Sequence, residues 1–482
     1  MDRLSPFQSY NLSSGLVSFV ADDLLPSSAA TLSINLHYDV VGKATSRYGT
    51  YRVGAPVSGG DSCDGLGQYI SSDKTKNSLV AAFGGTNYAF DGISWSSIGG
   101  GMTAGIPVRY TSFWDKLYRV GGGASTAVWN GSGSFSAVSG APSGKYITPY
   151  KQRLYIAGDS SYPNRLWFST IADFNGSFSF DTTSSSEQYI DFTQGKANDV
   201  ITGLGKISNL LIVFLDNAMY RWNGNSTDAE IVVDVGCSSQ DSIVNAKGLL
   251  YFFNPTGFYS TDGTYPQEIS RPIYDWIQSI NPANYSKIYG GQDADHVYWY
   301  VGDVTLTSPN RDFKMATGRT FKNVVLVYTI SSRNWQVYSY ANNLRYFATY
   351  VDSNNVVSLV SGDADGNVLK LNSDTTDHGG YPINYEWESK EEFFDSRATT
   401  KQINKMAWFM DNGAGAQVMV GADNGILRTI GAVTGRVTIF PSVDVKGHFF
   451  RFGLKGSNTS TPVSFSGFEV YDITIHGYIN YG

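Results

Sequence analysis

Four glutamates fall between positions 386 and 392: Glu386, Glu388, Glu391 and Glu392. Carboxylates a few ångströms apart can share general-acid and nucleophile roles, the strongest catalytic option for an aromatic-rich chain of strands. Here Glu386 and Glu388 alternate with Tyr385 and Trp387, so a period of two places both acids on the wet face of one strand. Asp363, Asp365 and Asn367 surround Gly366 and offer the oxygens of a Ca2+ loop, the ligand type that hard ion takes. The distal Glu of an EF-hand is missing, and the same residues spell a plain hairpin turn. The five histidines, at 37, 296, 378, 448 and 476, have no metal-ligand spacing.

Other catalytic signatures are incomplete. Ser260-Thr261-Asp262-Gly263 matches part of the Asp-box turn of sialidases but lacks its Gly spacing and its Trp. No Gly-x-Ser-x-Gly elbow and no phosphate-binding Gly-rich loop is present. The expectation is a protein that is not an enzyme and uses no cofactor. A second kind of site is electrostatic. Between Gly302 and Asn323, Arg311, Lys314, Arg319 and Lys322 stand against Asp303 and Asp312. Such a basic insertion could touch nucleic acid or an acidic partner, or be a solvated loop tip.

These residues need elements to hold them, and the elements repeat. A short apolar strand, a Gly-centred turn and a second strand recur, with turns at Asp91-Gly92, Asn130-Gly131, Asn223-Gly224, Asp262-Gly263 and Asp365-Gly366. Asp-Gly and Asn-Gly supply the positive φ angles that tight hairpins require. Recurrence every roughly 40–50 residues predicts a β-propeller, in which each small sheet buries its faces against its neighbours. Units are expected near 79–98, 109–138, 150–180, 204–235, 243–270, 296–340 and 344–372. Trp95, Trp129, Trp222 and Trp335, one per unit beside a turn, read as core positions and not as sugar-stacking surface. One helix is expected over 270–280, with Ser270 as N-cap, Pro272 in the first turn and Ile273, Trp276, Ile277 and Ile280 on one face.

Composition agrees. Of 482 residues, 41% are hydrophobic and 16% charged, with 52 Gly, 32 Tyr and 27 Phe, a mixture that suits strands and turns. The net charge of −7 disfavours indiscriminate phosphate binding over the whole surface. Cys63 and Cys237 form no disulfide framework or zinc pattern and read as buried thiols. The start lacks a signal-peptide core, and the longest apolar runs, such as 210–215, are strand-sized, so no membrane span is expected. The reading is an all-β chain: a six- or seven-bladed β-propeller with an added C-terminal β-sandwich. Residues 1–60 are assigned to an N-terminal arm with blade-closing strands, 61–375 to the propeller, and 376–482 to the sandwich or assembly domain.

Several segments carry a family likeness. They are 35–42 followed by Arg47-Tyr48-Gly49, the strand–turn–strand of 210–222, the stretch 266–273 with its helix, and the strand–turn–Trp of 325–335. The closing strands of 451–470 add to it. In these the chain resembles the β-propeller tail hub or nozzle proteins of short-tailed bacteriophages, also called packaged-DNA stabilisation proteins. The resemblance implies a structural virion protein, made in the host cytoplasm and located in the phage tail. It implies a ring of copies, six by this likeness, below the portal and its adaptor. That ring would extend the DNA exit channel and anchor tail fibres or spikes. DNA would pass through without sequence-specific binding, and the acidic balance suits a wall along which it slides. The alternative is a carbohydrate-binding or glycan-cleaving propeller of tailspike or lectin type, which needs aromatics and carboxylates clustered on one ring face. An intracellular scaffold of kelch or WD-repeat type is disfavoured, because the Gly-Gly pairs keep no register.

Overall fold

The computed structural model describes residues 3–21, 24–183, 186–192, 199–224, 230–306, 318–423, 425–458 and 460–478. Strands dominate, and they group into successive antiparallel four-stranded units. Blade I runs from Cys63–Ile70 to Trp95–Ser97, blade II from Val108–Phe113 to Ser136–Ala137, and blade III from Tyr146–Tyr150 to Tyr189–Asp191. Blade IV runs from Ile201–Ile207 to Glu230–Val233, and blade V from Val244–Ala246 to Gln267–Glu268. Blade VI comprises Tyr289–Gln292, His296–Thr305, Thr320–Thr329 and Asn334–Ser339. Blade VII comprises Leu344–Val351, Val357–Asp363 and Val368–Asp374, and its outer strand is Gly49–Arg52 from the N-terminal part of the chain. The first strand of each unit lies against the first strand of the next, and blade VII returns to blade I, closing a β-propeller. Six of these sheets are free-standing; blade VI is the start of a larger sheet.

That larger sheet has ten strands. Beyond Asn334–Ser339 it continues through Ala29–Ile34, Ile383–Ser389, Phe450–Asn458, Gln417–Ala422 and Arg428–Ala432. This second half packs on a sheet built around Thr399–Asp411 and the 15-residue strand Ser464–Tyr478. The two sheets enclose an aromatic core in which Trp387, Trp408, Phe452, Phe465 and Phe468 are buried. This is the C-terminal β-sandwich. Its strands also come from the first 46 residues, Phe7–Ser9, Ala29–Ile34, Leu36–His37 and Ala44–Ser46, so the N-terminal stretch serves both halves of the molecule.

Local expectations fare unevenly. Trp129, Trp222 and Trp335 are buried and Trp95 is half-buried, tilted against Phe90. Both cysteines are buried free thiols. The helix is a 3-10 turn, Arg271–Ile273, running into Tyr274–Gln278, with Ile273, Trp276, Ile277 and Ile280 all buried. Ser270 does not cap it; its Oγ accepts the Phe258 N–H of blade V at 3.0 Å. The blade starts predicted at 79, 150 and 296 miss the innermost strands Cys63–Ile70, Tyr146–Tyr150 and Tyr289–Gln292 wholly or in part. In blades II and III the turn after the innermost strand places Trp114-Asp115 and Lys151-Gln152 at positive φ, so no glycine marks it.

Candidate functional site

Glu386 and Glu388 do not lie on a freely solvated face: Glu388 is buried and Glu386 half-buried. Their strand, Ile383–Ser389, is central in the ten-stranded sheet, with Tyr385 and Trp387 in the sandwich core on one side. On the other side Glu386 receives both terminal nitrogens of Arg319 at 2.9 and 2.7 Å, and Glu388 is buried. The sequence pattern assumed one solvated face, whereas the junction with the propeller covers that face at Glu388 and leaves Glu386 half-buried at the edge of a cleft.

Arg319 is thus a seam residue between blade VI and the sandwich, and it keeps its charge against Glu386. Lys322 pairs with Asp303 across the two middle strands of blade VI at 2.6 Å, both side chains largely exposed, so the pair contributes little to stability. Arg311 and Lys314 lie outside the described residues. Asp363 is buried, and its carboxylate accepts the N–H groups of Asp365 and Asn367 at 2.9 and 2.8 Å and the Asn367 amide at 2.9 Å. Those donors occupy the oxygens that a cation would need, which is the geometry of a self-capped turn. Among the described residues no group of three or more His, Cys, Asp or Glu is placed to hold a metal ion.

A cleft of about 790 Å³ opens along the seam, lined by Arg319, Lys322, Tyr340, Asp377, Glu386 and Lys455 among others. Behind three of the residues lining it, Asn35, Ser339 and Asp377, sits Arg47, whose side chain is 1% exposed. Its Nε donates to Asn35 Oδ1 at 2.8 Å, and its terminal nitrogens donate to the Tyr48 and Ser339 carbonyls and to both oxygens of Asp377. All five N–H groups are therefore used, with the Tyr340 ring 3.9 Å from the guanidinium carbon. Burial opposes the charge of Arg47, and Asp377 outweighs it, raising the guanidinium pKa. Nearby, Asp39 of the N-terminal segment meets His296 Nε2 at 3.0 Å, while His296 Nδ1 lies 3.0 Å from Asp293. Burial alone would discharge His296, yet hydrogen bonds and charge from Asp293 and Asp39 lift its pKa to about 10.

The second constellation lies at one end of the propeller axis. A bowl of about 780 Å³ is lined by residues of blades I, II, III, VI and VII or the segments leading into them, including Asp61, Asp64, Arg109, Lys145, Lys287 and Arg345. Arg109 of blade II donates Nε and a terminal nitrogen to Asp241, just before blade V, at 2.8 and 2.7 Å. This pair ties blades that are not neighbours in the ring. Burial works against the Arg109 charge and Asp241 prevails, so the guanidinium pKa rises. Tyr289 and Tyr346 pack at 4.5 Å between ring centres and are nearly excluded from solvent. Burial pushes the Tyr289 hydroxyl up to about 12, and burial likewise raises the Asp64 carboxyl, whose Oδ2 accepts the Gly105 N–H. None of these positions stood out in the sequence; the ring brings them together from six of the blades or the segments leading into them.

No protein family profile matches the chain, and no curated protein matches it. Among solved structures the chain is similar to a chain of the Mitotic Checkpoint Complex crystal structure, at 10% identity and a TM-score of 0.41, over 66% of this chain and 93% of that one. It is also similar to Sqt1 of Saccharomyces cerevisiae, at 10% identity and a TM-score of 0.39, over 70% of this chain and 99% of that one. Likeness at this level carries no functional argument, and the propeller is read from the chain's own strand pairing.

Proposed function

We propose that this protein is a non-catalytic structural component of a phage tail, the hub or nozzle ring that its sequence resembles. In this reading six copies form an annulus below portal and adaptor, anchor fibres or spikes, and extend the channel through which DNA passes without being read. One observation supports it above the others. The blade VI sheet runs without a break into the sandwich, and the fully engaged Arg47 ties both to the N-terminal segment. That construction makes propeller and sandwich one stiff body, as a part that transmits force between neighbours needs.

The test is assembly. Native mass spectrometry and negative-stain images of the purified chain, alone and with a portal-adaptor ring, should show a sixfold annulus that joins the adaptor. A persistent monomer that depolymerises a surface polysaccharide would overturn the reading and favour a glycan-processing propeller.

A further inference from the structure

The axial bowl gathers more cations than carboxylates. Arg109 is paired with Asp241, while Asp64 accepts the Gly105 N–H and faces the Arg345 charge. Lys145, Lys287 and Arg345 line the same bowl, and among the described residues none of their side-chain nitrogens forms an ion pair or a hydrogen bond. Asp61 and Asp64 line the bowl too, and the Arg345 charge acts on the Asp64 carboxyl; with Arg109 matched by Asp241, three cations stand against two carboxylates, a local excess of positive charge in a chain of net charge −7.

The backbone beneath Arg345 is itself unusual. The innermost strand of blade VII bulges between Arg345 and Phe347, which face Gly362 and Ser361 on the next strand. Within the bulge Tyr346 has a φ of 42°, a left-handed conformation that a bulky side chain rarely takes. A bulge re-aims the side chains it carries, and such strain concentrates at binding sites. Here it sets both Arg345 and Tyr346 on the wall of the bowl, with Tyr346 packed on Tyr289.

We infer that the axial bowl is a binding site for a phosphomonoester of small-molecule size, its phosphate held by Arg345, Lys287 and Lys145. One guanidinium satisfies a carboxylate; a guanidinium with two ammonium groups suits a three-oxygen dianion better. The cavity lies within the size range of sites that enclose small ligands. The rings of Tyr289 and Tyr346 are almost wholly buried, which leaves the half-buried Tyr146 as the lining aromatic most open to the organic part.

The test uses phenyl phosphate, inorganic phosphate and benzoate in isothermal titration calorimetry on the full chain. Saturable binding of phenyl phosphate at one site per chain is expected, with inorganic phosphate weaker. Arg345→Ala should weaken it at least about tenfold, the value of one charge-assisted contact, while Lys455→Ala, in the seam cleft, leaves it unchanged. Thermal midpoints are compared, and if Arg345→Ala does not fold, Lys287→Glu takes its place. No saturable binding at millimolar phenyl phosphate, or binding indifferent to both variants, overturns the inference. Benzoate binding as tightly as phenyl phosphate overturns the phosphate assignment.

Discussion

Arg47 and Asp377, 330 positions apart in the chain, meet through two parallel hydrogen bonds of 2.8 Å with both side chains almost wholly out of solvent. Asp377 also accepts the Ala341 N–H at 2.9 Å, at the start of the link between blades VI and VII. The pair therefore joins the N-terminal segment, the ring and the approach to the sandwich at one point.

Removing one partner leaves the other charge buried alone. Arg47→Met or Asp377→Asn should each lower the unfolding free energy by about 3–5 kcal/mol, read by chemical denaturation. The double variant should lose less than the sum of the two singles. A loss below about 1 kcal/mol for either single variant would mean the pair contributes no more than a surface contact.

Gly49 opens the strand that completes blade VII. A Cβ there would lie 1.9 Å from the Thr376 carbonyl oxygen, and backbone cannot yield as a side-chain tip does. Gly49→Ala should cost about 1–3 kcal/mol or more and loosen ring closure, seen as faster amide exchange in blade VII. Gly59→Ala, where nothing lies within 4 Å, is the control and should stay within about 0.5 kcal/mol of the parent. Equal effects would refute the steric account.

The His296 clamp sets a pH window. Its folded pKa of about 10 stands above the ordinary 6.5, so its stabilisation is complete below pH 6.5 and fades as pH rises toward 10. Burial would raise Asp39 and Asp293, but hydrogen bonds from the histidines hold both below the ordinary 3.8, so their share is present above that pH and lost in stronger acid. The stability difference between parent and His296→Gln should thus be greatest between about pH 4 and 6.5 and vanish by pH 10. A difference that is flat with pH in urea titrations would rule out a charged clamp.

Trp408 lies in the sandwich core with Phe465 and Phe468 stacked at 4.8 and 5.1 Å. Trp408→Ala should cost about 3–5 kcal/mol. Because the ten-stranded sheet is continuous, unfolding should stay a single transition for tryptophan fluorescence and far-ultraviolet circular dichroism alike. Two separated transitions would show the propeller standing without the sandwich.

Hairpin chemistry was readable because it is local. Asp91-Gly92 and Asp262-Gly263 place a turn where the backbone needs one, and strands follow on both sides. The innermost strands were harder to see because turns such as Lys151-Gln152 take positive φ without glycine. The surface role given to Glu388 failed because alternation reports which residues share a face, not whether that face meets water.

Composition and turn spacing by themselves determined an all-β chain of repeated small sheets with an apolar, aromatic sandwich after them, since propensity and periodicity act over a few residues. Tertiary structure alone decided which strand of the N-terminal arm, Gly49–Arg52, closes blade VII, that Arg319 is consumed by Glu386, and that Arg345 faces an open bowl beside the Arg109–Asp241 pair. Each of these depends on which distant strands become neighbours. Ring closure sets that through the burial of whole sheet faces, a sum over the chain that no short window of sequence contains.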